Sequence, residues 1–316
     1  MSSAILTESS APGLERIQTL SYLISTVPSL IGSIFIIAVL VLLKAYSKGL
    51  NRIVFFLSVS DLLFSLPLEF FVPATETSCI ITSGIHYYGL INSLYWSSVF
   101  AFIFLKITKK SQEILESKFK YFLAISAVIP LPWIIFFIWT NYFDRQIGSF
   151  CYHTGTESTF EYKVLFMSVL PPIAALIATV YCYLRGFLQL KKFVKASTTE
   201  ARSLNFMALF VFPLILVFCW LPYIVAYVLD QVGVSIPDEY KVPIIHLSKL
   251  QGFLNAIFYG LSASVRRALK EHFARVCVRR QTKQVEESLL ESEERKTTNP
   301  ADSSHVHLSV DSNTQT

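Results

Sequence analysis

Charged residues are scarce in this sequence. They make up 16% of its 316 residues and hydrophobic residues 53%, whereas an average soluble domain is about one-quarter charged. P-loops, nucleophile elbows and metal-spaced His/Cys clusters are also missing, so we expect neither an enzyme nor a metal site. The basic residues lie between apolar runs rather than on one soluble face, which argues against nucleic acid as a partner. The lipid bilayer is the environment that this balance indicates.

The N-terminal segment has no long apolar run. Residues 1–19 contain Glu8, Glu15 and Arg16, so they lack the core of a signal peptide. We therefore expect the first membrane helix to direct insertion, with residues 1–19 as an extracellular tail.

Seven apolar stretches follow, each of about 20 residues or more and long enough to cross roughly 30 Å of hydrocarbon. These predicted spans 1 to 7 are, in chain order, Leu20–Leu43, Ile53–Pro73, Gly84–Ile107, Phe119–Trp139, Val164–Leu184, Leu204–Leu229 and Val242–Ala263. The sequence therefore predicts an all-α membrane protein whose residues 20–263 form a seven-transmembrane-helix bundle.

Lysine and arginine concentrate in alternate connections, and such residues are retained on the cytoplasmic side during insertion. The connections after spans 1, 3 and 5 hold Lys44, Lys48, Arg52, Lys109, Lys110, Lys118, Arg185, Lys191, Lys192, Lys195 and Arg202. The opposite connections hold only Arg145, Lys163 and Lys241. This asymmetry predicts a multi-pass protein of the plasma membrane with its N-terminus outside.

A basic segment follows span 7. Val265, Leu269, Phe273 and Val276 recur there at helical spacing, with Arg and Lys on the other faces. Residues 264–280 are therefore predicted to form an amphipathic membrane-surface helix, in which Cys277 is either palmitoylated or a free thiol. Residues 281–316 are polar, rich in Ser, Thr and Glu and without periodicity, so we expect a disordered cytoplasmic tail.

Five ionisable residues fall inside the spans, where charge is costly. They are Asp61, Glu69, His86, His246 and Lys249. At a rise of about 1.5 Å per residue, Asp61 of span 2 and Asn255 of span 7 each lie roughly 12 Å from the cytoplasmic ends of their helices, so we expect a hydrogen bond between them. The other four residues fall in the outer half of the membrane.

We predict that these four outer residues line a ligand-binding pocket. Glu69, His86, His246 and Lys249 form its polar layer, and Trp220 and Tyr223 form an aromatic floor, a combination typical of small-ligand sites. The competing interpretations are structural: Glu69 and Lys249 neutralise each other, the histidines are satisfied or interfacial residues, and Trp220 only packs.

Below the pocket we predict an activation network of Asp61, Asn255 and Tyr259, with Pro222 as the pivot of span 6. The structural alternative is that Asp61 only holds spans 2 and 7 together. On the outer side, Cys79 and Cys151 flank helices in polar loops, and we predict that they form a disulfide.

Three sequence segments resemble one receptor family. They are Leu57-Ser58-Val59-Ser60-Asp61, the run Gln251 to Gly260, and Ser264-Val265-Arg266-Arg267-Ala268. Together they resemble the cyclic-AMP-receptor-like G-protein-coupled receptors, including the plant members. The resemblance implies a cell-surface receptor for an unidentified extracellular ligand, coupled to a heterotrimeric G protein.

Rhodopsin-like receptors supply a second, more local resemblance. Cys219-Trp220-Leu221-Pro222 is similar to their sixth-helix motif, and Asn255 to Tyr259 to their seventh-helix motif without its proline. Lys249 precedes Asn255 by six residues, the spacing of the retinal-linked lysine in animal opsins, which implies a photoreceptor with retinal on Lys249 as an alternative. A seven-helix transporter is the other alternative, although it predicts paired broken half-structures that the sequence does not show.

Overall fold

The computed structural model describes residues 12–46, 49–66, 76–105, 110–139, 145–147, 150–152, 169–196, 206–232, 234, 236–260 and 263–298. The chain divides into two units, Met1–Val265 and Arg266–Thr316.

Helices make up almost all of the described chain. They are α1 (Pro12–Leu42), α2 (Gly49–Phe64), α3 (Glu76–Leu105), α4 (Lys110–Val128), α5 (Leu131–Trp139), α6 (Leu170–Ala196), α7 (Phe206–Gln231), α8 (Asp238–Leu247), α9 (Gln251–Gly260) and α10 (Ala263–Thr298). A 3-10 turn, Ser248–Leu250, joins α8 to α9. Strands β1 (Arg145–Ile147) and β2 (Phe150–Tyr152) form a short antiparallel hairpin.

Three stretches within these helices are long and apolar enough to cross a membrane. They are Thr19–Leu42, Glu116–Phe136 and Leu170–Gln189, and Leu214–Leu229 is a shorter apolar stretch. Each coincides with a stretch predicted as a span, which supports a helical membrane protein.

Two predicted spans are interrupted in the structure. Span 4 is divided into α4 and α5 by a turn at Ile129 and Pro130, because a proline has no backbone N–H to donate and its ring crowds the preceding turn. Span 7 is divided by the 3-10 turn Ser248–Leu250, which tightens the backbone at Lys249.

The first unit exposes large apolar side chains and buries polar side chains within its apolar core. Ile24, Ile31, Ile135, Ile177 and Leu214 are each 59–65% exposed. The fully or almost fully buried polar residues include Thr26, Ser29, Ser33, Asp61, Ser65, Ser93, Gln251 and Asn255. Water would favour the reverse distribution, whereas lipid tolerates an apolar exterior and favours polar groups that bond between helices.

Small residues bring helix backbones close together. A Cβ atom added to Gly32 of α1 would lie 2.9 Å from Cβ of Ala256 in α9, and one added to Gly89 of α3 would lie 2.4 Å from the backbone N of Phe64 in α2. These close approaches set how α1 meets α9 and how α2 meets α3.

The second unit contains the rest of α10, which continues to Thr298. The sequence predicts a disordered tail from residue 281, and the structure instead extends the helix 18 residues beyond Arg280. Glutamate, glutamine, leucine, lysine and arginine make up 12 of these 18 residues, and all five have high helix propensity.

Candidate functional site

Asp61 lies at the centre of the polar interior. It is 1% exposed, and its Oδ2 accepts a 2.8 Å hydrogen bond from Nδ2 of Asn255. Its Oδ1 accepts a second bond from Oγ of Ser93. The predicted contact between Asp61 and Asn255 is therefore present, and Ser93 adds α3 to the pair of α2 and α9.

Gln251 extends these contacts toward α7. Its Nε2 donates to Oγ of Ser93 over 2.9 Å, and its Oε1 accepts from the indole Nε1 of Trp220 over 2.8 Å. A continuous series of hydrogen bonds thus runs from Trp220 through Gln251 and Ser93 to Asp61 and Asn255. We call these five residues the polar chain.

Sequence reasoning missed Ser93 and Gln251 because neither is ionisable. Gln251 precedes Asn255 by one helical turn, so the same helix arithmetic that placed Asn255 puts Gln251 on the same face of α9. That spacing was the available signal for Gln251. The position of Ser93 depends on the rotation of α3 about its axis, which the apolar pattern does not fix.

Serine hydroxyls surround the polar chain on the α1 side. Oγ of Ser65 donates to Oγ of Ser29 over 3.0 Å. A Cβ atom on Gly252 would lie 2.4 Å from Oγ of Ser29 and 2.6 Å from Oγ of Ser33. A glycine at this position therefore lets two hydroxyls of α1 approach the backbone of α9 beside Asp61.

One aromatic group joins three of the predicted pocket residues. The ring of Phe64 lies 4.6 Å from that of His86 and 6.1 Å from that of Trp220, measured between centroids. Trp220 also meets Tyr223 edge to face at 6.2 Å. His86, Trp220 and Tyr223 thus belong to one cluster, with Phe64 as a member that sequence reasoning missed.

Tyr22 of α1 joins two other predicted pocket residues. Nζ of Lys249 lies 4.0 Å from the centroid of the Tyr22 ring, a cation–π contact. The imidazole of His246 meets the same ring edge to face at 5.4 Å. Lys249 is buried, and among the described residues Nδ1 of His246 is buried without a hydrogen-bond partner. Tyr22 is therefore a further candidate pocket residue.

Tyr259 lies one helical turn beyond Asn255 in α9. Its hydroxyl donates to Oδ1 of Asn51 over 3.1 Å, which ties the end of α9 to the start of α2. Pro222 lies within α7, two residues after Trp220. The activation role predicted for Asp61, Asn255, Tyr259 and Pro222 stays a prediction.

Several predicted residues fall where little is described. Glu69 lies outside the described residues, as do the side chains of Cys79 and Cys151. Cys151 is on β2, with its Cα paired opposite Gln146. The described residues contain no disulfide, so the structure gives the predicted bridge no support. Cys277, the candidate for palmitoylation, is an exposed free cysteine.

The arrangement is suited to binding and rearrangement. Nε2 of Gln251 lies 2.9 Å from Oγ of Ser93 and 3.4 Å from Oγ of Ser97. Gln251 can therefore exchange one serine for the other at small cost when its helices shift. Trp220 belongs both to the polar chain and to the aromatic cluster around Phe64.

No protein-family model matches the chain. The chain is 27% identical over 271 residues to "Cyclic AMP receptor-like protein A" of Dictyostelium discoideum, an alignment that covers 79% of this chain and 65% of that protein. The chain thus spans slightly less than two thirds of that relative's length. This similarity hints at a receptor role and gives weak support to the family that the sequence motifs suggest.

Proposed function

We propose that this protein is a seven-span receptor of the plasma membrane that binds an extracellular ligand and signals to a heterotrimeric G protein. The three apolar stretches, together with the shorter one in α7, support the membrane part of this proposal. The exposed apolar side chains and buried polar ones support it further. The distribution of Lys and Arg supports an extracellular N-terminus.

The observation that carries the receptor proposal is the polar chain. It connects Trp220, a member of the aromatic cluster with His86 and Tyr223, to Asp61 and Asn255 through Gln251 and Ser93. A ligand that moves Trp220 changes the partner of Gln251, and this change reaches the contact between α2 and α9. Coupling of this kind requires a ligand that binds one arrangement better than the other.

The ligand site in this proposal is the outer pocket, with Glu69, His86, Trp220, Tyr223, His246 and Lys249. Lys249, His246 and Tyr22 contribute a cation, an imidazole and an aromatic face within one group. The G protein would meet Lys191, Lys192 and Lys195 at the end of α6, together with the segment after Ala263. The name of the Dictyostelium relative makes cyclic AMP the first ligand to test.

The retinal-binding alternative depends on Lys249. Besides its spacing from Asn255, its burial favours this alternative, since a Schiff-base lysine also lies in an apolar pocket. A visible absorption band that forms when retinal is added to the purified protein, and that Lys249→Ala abolishes, would establish the photoreceptor instead. The transporter alternative has no comparable observation in its favour.

The deciding experiment uses the purified full chain in two stages. Retinal is added first, and the visible spectrum is recorded for the wild type and for Lys249→Ala. Nucleotide exchange on purified G proteins is then measured with cyclic AMP and with other small polar ligands. We expect no retinal band and a ligand-dependent rise in exchange. A protein that activates no G protein with any ligand, yet moves a solute across vesicles, would refute the receptor proposal.

A further inference from the structure

The second unit carries a short apolar stripe along α10. Ala274, Val278, Val285 and Leu289 follow each other at intervals of four, seven and four residues. All four are exposed, with Val278, Val285 and Leu289 between 57% and 61%. At about 100° per residue, the four side chains span an arc of roughly 60° around the helix axis and so share one face. Apolar residues at this spacing are typical of the seam between two paired helices.

This stripe is separate from the face predicted to lie on the membrane. Leu269 and Phe273 belong to that other face, which is roughly 130–170° away from the stripe around the helix. Beyond residue 280, Glu286 and Glu287 are also exposed, and acidic residues oppose contact with an anionic leaflet. We therefore expect the stripe to bind a partner other than lipid.

The stripe is symmetric about its own centre, between Gln281 and Thr282. Val278 and Val285 are equally distant from that centre, and so are Ala274 and Leu289. If two copies of α10 pair in opposite directions about this centre, each Val278 meets a Val285 and each small Ala274 meets a large Leu289. Alternation of small and large residues across a seam is how such contacts fill space.

The charges of α10 also favour a second, antiparallel copy. Residues 266–283 contain seven Lys or Arg and one Glu, whereas residues 284–294 contain five Glu and no basic residue. Antiparallel pairing brings the basic half of each helix beside the acidic half of the other, and parallel pairing brings like charges together. Arg279 and Glu286 lie along the same edge of the stripe and are both exposed. In an antiparallel pair, Arg279 of one copy is therefore positioned to meet Glu286 of the other.

We propose that two copies of this protein associate through an antiparallel pair of their α10 helices, with Ala274, Val278, Val285 and Leu289 at the seam. The contact is two-fold symmetric, so the same residues serve both copies. It is short for a contact between soluble proteins, but confinement to one membrane raises the effective concentration of the two copies. The proposal is independent of which ligand or transducer the receptor uses.

Cysteine cross-linking of the full chain in cell membranes tests this geometry. With Cys277→Ser as the background, Ala274→Cys and Leu289→Cys are made in two differently tagged copies, expressed alone or together, and oxidised. In the antiparallel pair, residue 274 of one copy faces residue 289 of the other, and the two residues 274 are roughly 22 Å apart along the helix axis. We expect a cross-linked dimer from the mixed copies and little from either alone.

A charge exchange supplies the second measurement. Arg279→Glu places like charges together and should reduce the cross-linked product severalfold, whereas Arg279→Glu with Glu286→Arg in the same chain should restore it. Glu287→Cys, roughly 170° around the helix from the stripe and exposed, is the control that should not cross-link. The surface amount of each variant is measured, so that loss of product is not confused with loss of protein.

Three outcomes would overturn the proposal. Cross-linking of each single-cysteine copy to itself, without the mixed product, indicates parallel pairing. Absence of any product at normal surface amounts indicates that the helices do not pair. Quenching of a bimane label at Val278→Cys by a lipid-borne quencher, again without product, indicates that the stripe faces the bilayer.

Discussion

The indole Nε1 of Trp220 donates a 2.8 Å hydrogen bond to Oε1 of Gln251, and Nε2 of the same amide donates to Oγ of Ser93 over 2.9 Å. Trp220 and Gln251 are buried, and water has little access to either group. The amide therefore satisfies the indole N–H and the serine hydroxyl at once, and the loss of Gln251 leaves the indole N–H without this acceptor.

Gln251→Leu should lower the free energy of unfolding by about 1–3 kcal/mol, the usual cost of leaving a buried polar group without its partner. Thermal unfolding of the detergent-purified protein measures this loss. Trp220→Phe removes the donor, so it should have a smaller effect in the Gln251→Leu background than in the wild type. Strict additivity of the two substitutions would contradict the hydrogen bond.

Gly89→Ala should destabilise the packing of α2 against α3. The new Cβ would lie 2.4 Å from the backbone N of Phe64 and 2.8 Å from the backbone C of Leu63, and backbone atoms cannot rotate away. We expect a cost of about 1–3 kcal/mol or more, seen as a lower Tm.

Gly84→Ala is the matched control for that substitution. Gly84 lies in the same helix, and its added Cβ would meet nothing within 4 Å. Helix propensity alone then predicts a neutral effect or a gain of roughly 0.5–1 kcal/mol. Equal losses of stability at both positions would show that α3 is not packed against α2 as described.

What the sequence predicts well follows from fixed helix geometry. The contact between Asp61 and Asn255 follows from a constant rise per residue, which holds whatever the neighbours are. The interruption at Lys249 could not be predicted in this way, because the turn Ser248–Leu250 contains neither glycine nor proline. Tyr22 and Phe64 were missed for a different reason: an aromatic residue in an apolar run looks the same whether it faces lipid or a pocket.

We expect both Glu69 and Tyr22 to stabilise the buried Lys249 side chain. Tyr22→Leu removes the cation–π contact and should cost about 0.5–2 kcal/mol of stability.

Lys249 is also expected to pair with Glu69. The charge exchange Glu69→Lys with Lys249→Glu should therefore recover surface protein that each single substitution loses. Additive losses, with no mutual rescue, would argue against the pair.

Cys79 and Cys151 should form a disulfide that clips the second outer connection to the start of α3. Thiol labelling of the denatured, unreduced protein tests this. Cys182, Cys219 and Cys277 are free in the structure and should label, which provides the internal reference. Labelling of Cys79 and Cys151 before reduction would rule the bridge out.

Asp61→Asn should change signalling more than surface amount or ligand affinity. The asparagine keeps the size of the side chain but offers one acceptor oxygen where Asp61 now accepts from both Asn255 and Ser93, so one of these bonds is lost. Coupling between two sites is typically worth about 1–3 kcal/mol, and the loss of one such bond is enough to alter it. Ser58→Ala is the control, because Ser58 is buried in the same helix and its hydroxyl donates to the backbone O of Val54 within that helix. Surface amount and stimulus-dependent G-protein activation are measured in the same cells. A fall in surface protein alone would mean that Asp61 only holds α2 and α9 together, and normal expression with unchanged signalling would refute the switch.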